Sequence, residues 1–147
     1  MISRVLVVCT GNICRSPVAE AVLRAALPDR AVSSAGLHAV VDHDIDALSA
    51  EAAGMAGIAL APHKARQFTE DMGRDSDLIL VMETDQRREI AGRWPQFLGK
   101  TFLLGHFENG IDVPDPYRQP IGYHVRAVEL ISAHCAGWVK QIKALDR

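Results

Sequence analysis

The run Cys9-Thr10-Gly11-Asn12-Ile13-Cys14-Arg15-Ser16 sets a cysteine, five residues, an arginine and a hydroxyl residue in a row. It follows the apolar stretch RVLVV (Arg4 to Val8) and leads into Pro17 and VAEAVLRAAL. A tight loop between a strand and a helix start turns successive backbone N–H groups inward and makes a nest for an oxyanion without any lysine. Gly11 and Asn12 are the residue types that enter positive φ most readily, which suits such a turn. A thiol at the centre of the nest, beside a helix N-terminus and a guanidinium, is favoured as a thiolate, so Cys9 is the nucleophile candidate. Arg15 can grip two phosphate oxygens in a planar fork, and Ser16 can donate its hydroxyl proton toward the sulfur. Thr10, Ile13 and Cys14 complete the proposed phosphate-binding loop.

Each residue has a plainer explanation. A free cysteine at a strand end is commonly a small core residue. Arg15 at a helix start would oppose the helix dipole, so an anionic partner accounts for it better than bare solvation. The Walker and GxGxxG nucleotide patterns are absent.

Phosphate monoester cleavage also needs a proton for the leaving oxygen. Asp115 fits that role because Pro114 and Pro116 restrict its backbone and Tyr117 offers an aromatic wall. Asp112 lacks this framing and reads as a turn residue. Asp-Pro-Tyr alone would also be a turn; the cysteine loop gives it meaning.

The elements that must position these residues follow from periodicity. Buried strands are expected over Arg4 to Val8, Ala31 to Ser34, Asp77 to Met82 and Thr101 to Leu104. Helices are expected from Pro17 through Leu27, over Asp46 to Met55, from a Thr84 cap through Arg93, and over Ile121 to Leu145, whose apolar face includes Cys135. Pro95 should end the Thr84 segment, and the proline-rich stretch after Leu104 reads as an ordered functional loop. Alternating strands and helices predict a three-layer α/β/α fold with a four-stranded parallel sheet, the phosphate-binding loop lying between strand 1 and helix 1. Ligands in such folds bind at the carboxyl ends of the strands.

With 147 residues, 48% apolar and 23% charged, the expectation is a single compact domain over residues 1–147 with a real core. A net charge of −2 gives no global attraction to nucleic acid or an anionic membrane, so anion binding must be local. Three cysteines without a CxxC pair fit neither a disulfide scaffold nor a zinc ribbon. The first apolar run is too short for a secretory signal, and no stretch is long enough to insert in a membrane, so a cytoplasmic location is expected.

The loop CTGNICRSPVAE together with the late DPY resembles the low-molecular-weight protein tyrosine phosphatase family over essentially the whole chain. SSAGL and LLGHF are further similar to the bacterial branch associated with polysaccharide-export tyrosine kinases. The resemblance implies a cysteinyl-phosphate intermediate on Cys9, phosphate binding by Arg15, acid then base catalysis by Asp115, support from Asn12 and Ser16, and no metal or other cofactor. It implies a phosphotyrosine protein substrate, the cytoplasmic tyrosine-rich tail of such a kinase, met by a monomer. Unlike animal members, the chain lacks a tryptophan between His38 and Asp46 and carries Arg118 in place of a second tyrosine. His38, Val40, Tyr117 and Arg118 are therefore the candidate substrate wall. The other histidines, His63 among them, are expected at the surface or in packing.

Three alternatives remain. Arsenate reduction would need resolving cysteines, which the segment Met82 to Arg88 lacks. Arginine phosphatases of the same fold place threonine where Ile13 stands. A non-catalytic phosphopeptide-binding module would typically gather several arginines and need neither nucleophile nor acid. Cys14 could condense with an oxidised Cys9, or simply pack.

Overall fold

In the computed structural model, which describes residues 1–146, the chain runs β1 (Arg4–Cys9), α1 (Arg15–Ala26), β2 (Ala31–Gly36), α2 (Ala47–Met55), α3 (Glu70–Asp75), β3 (Leu78–Val81), α4 (Thr84–Arg93), β4 (Thr101–Leu103) and α5 (Ile121–Ala144). Short 3-10 helices span Pro95–Lys100 and Leu104–Phe107. The strands form one sheet ordered β2-β1-β3-β4, every pairing parallel, as the sequence pattern implies.

Alternation along the strands sorts two cores. Val5, Val7 and Cys9 pack with Val18 and Leu23 of α1, Ala53 of α2 and Ile131 of α5. Leu6 and Val8 face the other way, toward Phe68, Phe97 and Ile90 of α4. Helices thus cover both faces, which is why the strands read as unbroken apolar runs rather than alternating ones. Cys135 is fully buried in the first core, where burial pushes its thiol up to about 12. It packs.

Several boundaries differ from the sequence expectation for physical reasons. Helix α1 begins two residues before Pro17, which still lies in the first turn, where a missing N–H costs no intrahelical bond. Thr84 does not cap α4: Glu83 occupies the cap, and the Gln86 side chain reaches back to the Glu83 N–H at 3.0 Å. Pro95 does not merely end α4; it opens a 3-10 helix that buries Phe97. Helix α3 was not expected from its composition, and its start is fixed by Thr69 accepting from the Met72 N–H at 3.2 Å. Asp77 lies just before β3, where its carboxylate accepts from the N–H groups of Ser3 (2.8 Å) and Arg4 (2.9 Å), which lower its pKa.

The order β2-β1-β3-β4 reverses direction between β1 and β3. The connections leaving those two strands diverge, opening a crevice at their carboxyl ends. The loop after β1 and the turn after β3 meet there.

Candidate active site

The loop from Cys9 to Arg15 has its carbonyls turned outward, and each of the first five finds an outside donor. Leu37, His38 and Val40, on the segment after β2, donate to Cys9, Thr10 and Gly11 at 3.0, 2.9 and 3.0 Å. The Asn12 carbonyl lies 2.6 Å from His63 Nε2, and the Ile13 carbonyl accepts from the Asp46 N–H at 2.8 Å. Among the described residues the N–H groups of Gly11, Asn12, Ile13 and Cys14 donate to no carbonyl. With the carbonyls held away, these dipoles are free for an oxyanion.

Asn12 supplies the bend, at φ 58. Its side chain donates to Ser16 Oγ (2.8 Å) and Ser34 Oγ (2.9 Å) and accepts from the Arg66 N–H (3.0 Å), so the left-handed turn is held from three sides. Gly11, contrary to expectation, does not take positive φ. The glycine that the loop needs is Gly36, where a Cβ would sit 2.5 Å from the Thr10 carbonyl oxygen and 3.0 Å from the Asn12 nitrogen. Strand β2 can run this close to the loop only without a side chain there.

Cys9 Sγ lies 2.9 Å from Ser16 Oγ. Because Asn12 already donates to that oxygen, the Ser16 hydroxyl proton is left to point at the sulfur.

Arg15 is 1% exposed. One terminal nitrogen is paired with Glu83 and donates to the Val113 carbonyl at 2.8 Å, the other lies 3.8 Å from Asp115 Oδ2, and the buried Nε has no partner among the described residues. Burial works against the guanidinium charge, but Cys9, Glu83 and Asp115 outweigh it and raise its pKa further. Glu83 thus commits one edge of the fork and leaves the Nε edge for a ligand.

The loop that carries Asp115 is tied down beside it. Val113 N–H donates to the Met82 carbonyl at 2.9 Å, and Asp112 Oδ1 accepts from the N–H (3.1 Å) and hydroxyl (3.2 Å) of Thr84. Asp112 is therefore an anchor for the loop. Asp115 Oδ1 accepts from the Tyr117 N–H at 3.0 Å, while its side chain stays 48% exposed at the mouth.

Cys9, Thr10, Gly11, Ile13, Cys14, Arg15, His38, Val40, Asp115 and Tyr117 line one cleft of about 150 Å³. Asn12 and Ser16 lie buried beneath it. Arg118 does not line it: at φ 63, its guanidinium lies over the Tyr117 ring, 5.2 Å from the centroid. His38 reaches Glu89 of α4 at 3.0 Å. Cys14 packs with Ile13, Ala65 and Val40, and burial pushes its thiol up to about 12. Glu83, Gln86 and Gly36 were not among the residues expected at the site, and His63 was expected only at the surface or in packing. An acid immediately after a buried strand, at the ligand-binding edge, was a readable signal for Glu83. The contact of His63 with Asn12 depends on a long connection and left no local trace.

The sequence pattern of the low molecular weight phosphotyrosine protein phosphatase family matches residues 4–147. The chain belongs to this family. The phosphatase Etp of Escherichia coli is 39% identical over 138 residues, covering 94% of this chain and 93% of its own. The tyrosine phosphatase Wzb from Escherichia coli K30, solved in complex with sulphate, superposes with a TM-score of 0.94 at 37% identity, covering 97% of this chain and 99% of that one. The YwlE arginine phosphatase from Geobacillus stearothermophilus shares the fold at 30% identity and a TM-score of 0.89, covering 97% and 94%. As a low molecular weight protein tyrosine phosphatase, the chain keeps the cysteine loop and the late aspartate within one cleft.

Proposed function

We propose that this phosphatase hydrolyses phosphotyrosine through a cysteinyl-phosphate intermediate on Cys9. The observation that carries the reading is the run of loop N–H groups left without carbonyl acceptors beside Cys9, together with the Arg15 Nε, which has no partner among the described residues. A phosphate seated there places phosphorus against the sulfur while its equatorial oxygens meet N–H dipoles and the guanidinium. Cys9 attacks, Asp115 protonates the departing phenolic oxygen, and the resulting carboxylate then deprotonates the water that releases phosphate. Ser16 stabilises the sulfur as thiolate before attack and as it leaves.

Tyrosine is favoured because the cleft is narrow and walled by Ile13, Val40 and Tyr117. A phosphotyrosine reaches its floor, whereas a phosphoserine is too short. Ile13, in place of the threonine of arginine phosphatases, supports the same preference. The partner is the tyrosine-rich cytoplasmic tail of a polysaccharide-export kinase, in line with the resemblance to the bacterial branch. Arg118, exposed at the rim, attracts acidic groups near each phosphotyrosine. Residues 1–147 act as one phosphatase domain, a reading supported by the family match over 4–147. The phosphatase works as a cytoplasmic monomer; among the described residues no helix is long and apolar enough to cross a membrane.

The test follows phosphate release from phosphotyrosine, phosphoserine and phosphoarginine peptides, and from an autophosphorylated kinase tail, at low and high salt. The tail should be the best substrate and lose its advantage at high salt. A tail rate equal to that of an unrelated phosphotyrosine peptide at both salts removes the partner; faster phosphoarginine turnover removes the tyrosine preference.

A further inference from the structure

Gln86, in the first turn of α4, is 5% exposed, and its amide is used at both ends. Oε1 accepts from the N–H groups of Met82 (2.9 Å) and Glu83 (3.0 Å), where β3 gives way to α4. Nε2 donates to Thr10 Oγ1 at 3.1 Å, on the residue next to the nucleophile. The turn it closes touches every other working part of the site. Glu83 holds Arg15, the Met82 carbonyl holds Val113, and Thr84 holds Asp112.

We propose that Gln86 is a positioning residue for phosphoryl transfer: one amide fixes the start of the phosphate-binding loop relative to the turn that aims Arg15 and anchors the acid loop. This rests on reading Cys9 and Arg15 as the reacting pair. The residues at issue come from the ends of two different strands, β1 and β3. Sheet pairing registers those strands only up to Val8 and Val81. Beyond that point the Gln86 amide carries the registration forward. Without it, two N–H groups lose their acceptor, and Thr10 is freed from the turn that carries Glu83. The nest and the Arg15 fork can then drift relative to each other, so the loss falls on oxyanion affinity and on kcat rather than on encounter with substrate.

The test uses Gln86→Met, which keeps the length and loses the hydrogen bonds, and Thr10→Val, which removes the same bond from the other side and leaves the turn intact. With p-nitrophenyl phosphate as substrate and inorganic phosphate as competitive inhibitor, each variant should lose about tenfold in kcat and bind phosphate several-fold more weakly. The double variant should lose much less than the product of the two single losses, and Thr10→Ser, which keeps the acceptor oxygen, should restore activity. Fully multiplicative losses, or a Gln86→Met protein that melts earlier but keeps its kcat and phosphate affinity, would overturn the proposal. If Gln86→Met does not fold, the Thr10 pair decides: Thr10→Val with parental kcat and phosphate affinity, or a Thr10→Ser protein as impaired as Thr10→Val, overturns it. Turnover surviving in Cys9→Ser would fail the nucleophile reading while leaving the phosphate-affinity comparison intact.

Discussion

At the scale of single residues, the site solves a charge problem. Arg15 is buried, and a buried guanidinium needs partners that satisfy its charge; under the proposed mechanism they must also leave one edge free for substrate. Glu83 and the Val113 carbonyl take one terminal nitrogen, and the Nε edge stays open. Asp115 is half-exposed at the mouth, which suits the proposed role of exchanging a proton with substrate and water. From that placement, Asp115→Asn should slow hydrolysis of phenyl phosphates with poor leaving groups by about 10²- to 10⁴-fold, and much less for those with acidic phenols. Rates plotted against leaving-group pKa should steepen in the variant; an unchanged slope would move the acid elsewhere. Arg118 shows where reading residue types stops short. Its charge was visible in the sequence, but its left-handed backbone and its placement over Tyr117 rather than in the cleft were not.

At the scale of elements, β2 and the segment after it shape the loop as much as the loop's own residues do. Leu37, His38 and Val40 draw the loop carbonyls outward, and Gly36 permits the approach. Gly36→Ala would place a Cβ against backbone atoms of Thr10 and Asn12, which cannot yield as a flexible side chain would. The expected cost is about 1–3 kcal/mol of stability together with weaker phosphate inhibition. Denaturant midpoints and a phosphate inhibition series measure both, and parental values in both would show that the loop can move aside freely. The strands and the long helices were legible because burial on both faces imprints continuous apolar runs and a helical period. Helix α3 and the two 3-10 helices were not, because they are short and carry few periodic apolar positions. Within the site, the cysteine loop and the aspartate were legible as local strings. Glu83, Gln86 and His63 act across 68, 76 and 51 positions, through a fold that no local string records.

At the scale of the whole molecule, the sheet brings the ends of β1 and β3 together, and the helices around it bury polar groups that make stability depend on pH. His134 of α5 is 2% exposed, and among the described residues neither ring nitrogen makes a hydrogen bond of standard geometry, the Ile111 backbone being the polar group that acts on the ring. Burial is the largest influence and lowers its pKa from the ordinary 6.5; the Ile111 backbone and then Glu108 favour its charging, and Arg126 opposes it. A depressed folded pKa means that the unfolded chain takes up the proton first. This contribution is therefore present above pH 6.5 and lost as pH falls through the folded value. Thermal melts of the parent should fall more steeply below that pH than melts of His134→Leu; parallel curves would mean that His134 charges in the fold without cost.

In the proposed mechanism the phosphoryl group passes through Cys9. The direct measurement is mass spectrometry of the peptide carrying Cys9 after rapid acid quench of a reaction with p-nitrophenyl phosphate, run in the Asp115→Asn background, where release of the intermediate is slowed. One phosphoryl group on Cys9, with no turnover and retained phosphate binding in Cys9→Ser, is the predicted result. Hydrolysis that continues in Cys9→Ser, or steady turnover with Cys9 never phosphorylated, would contradict it.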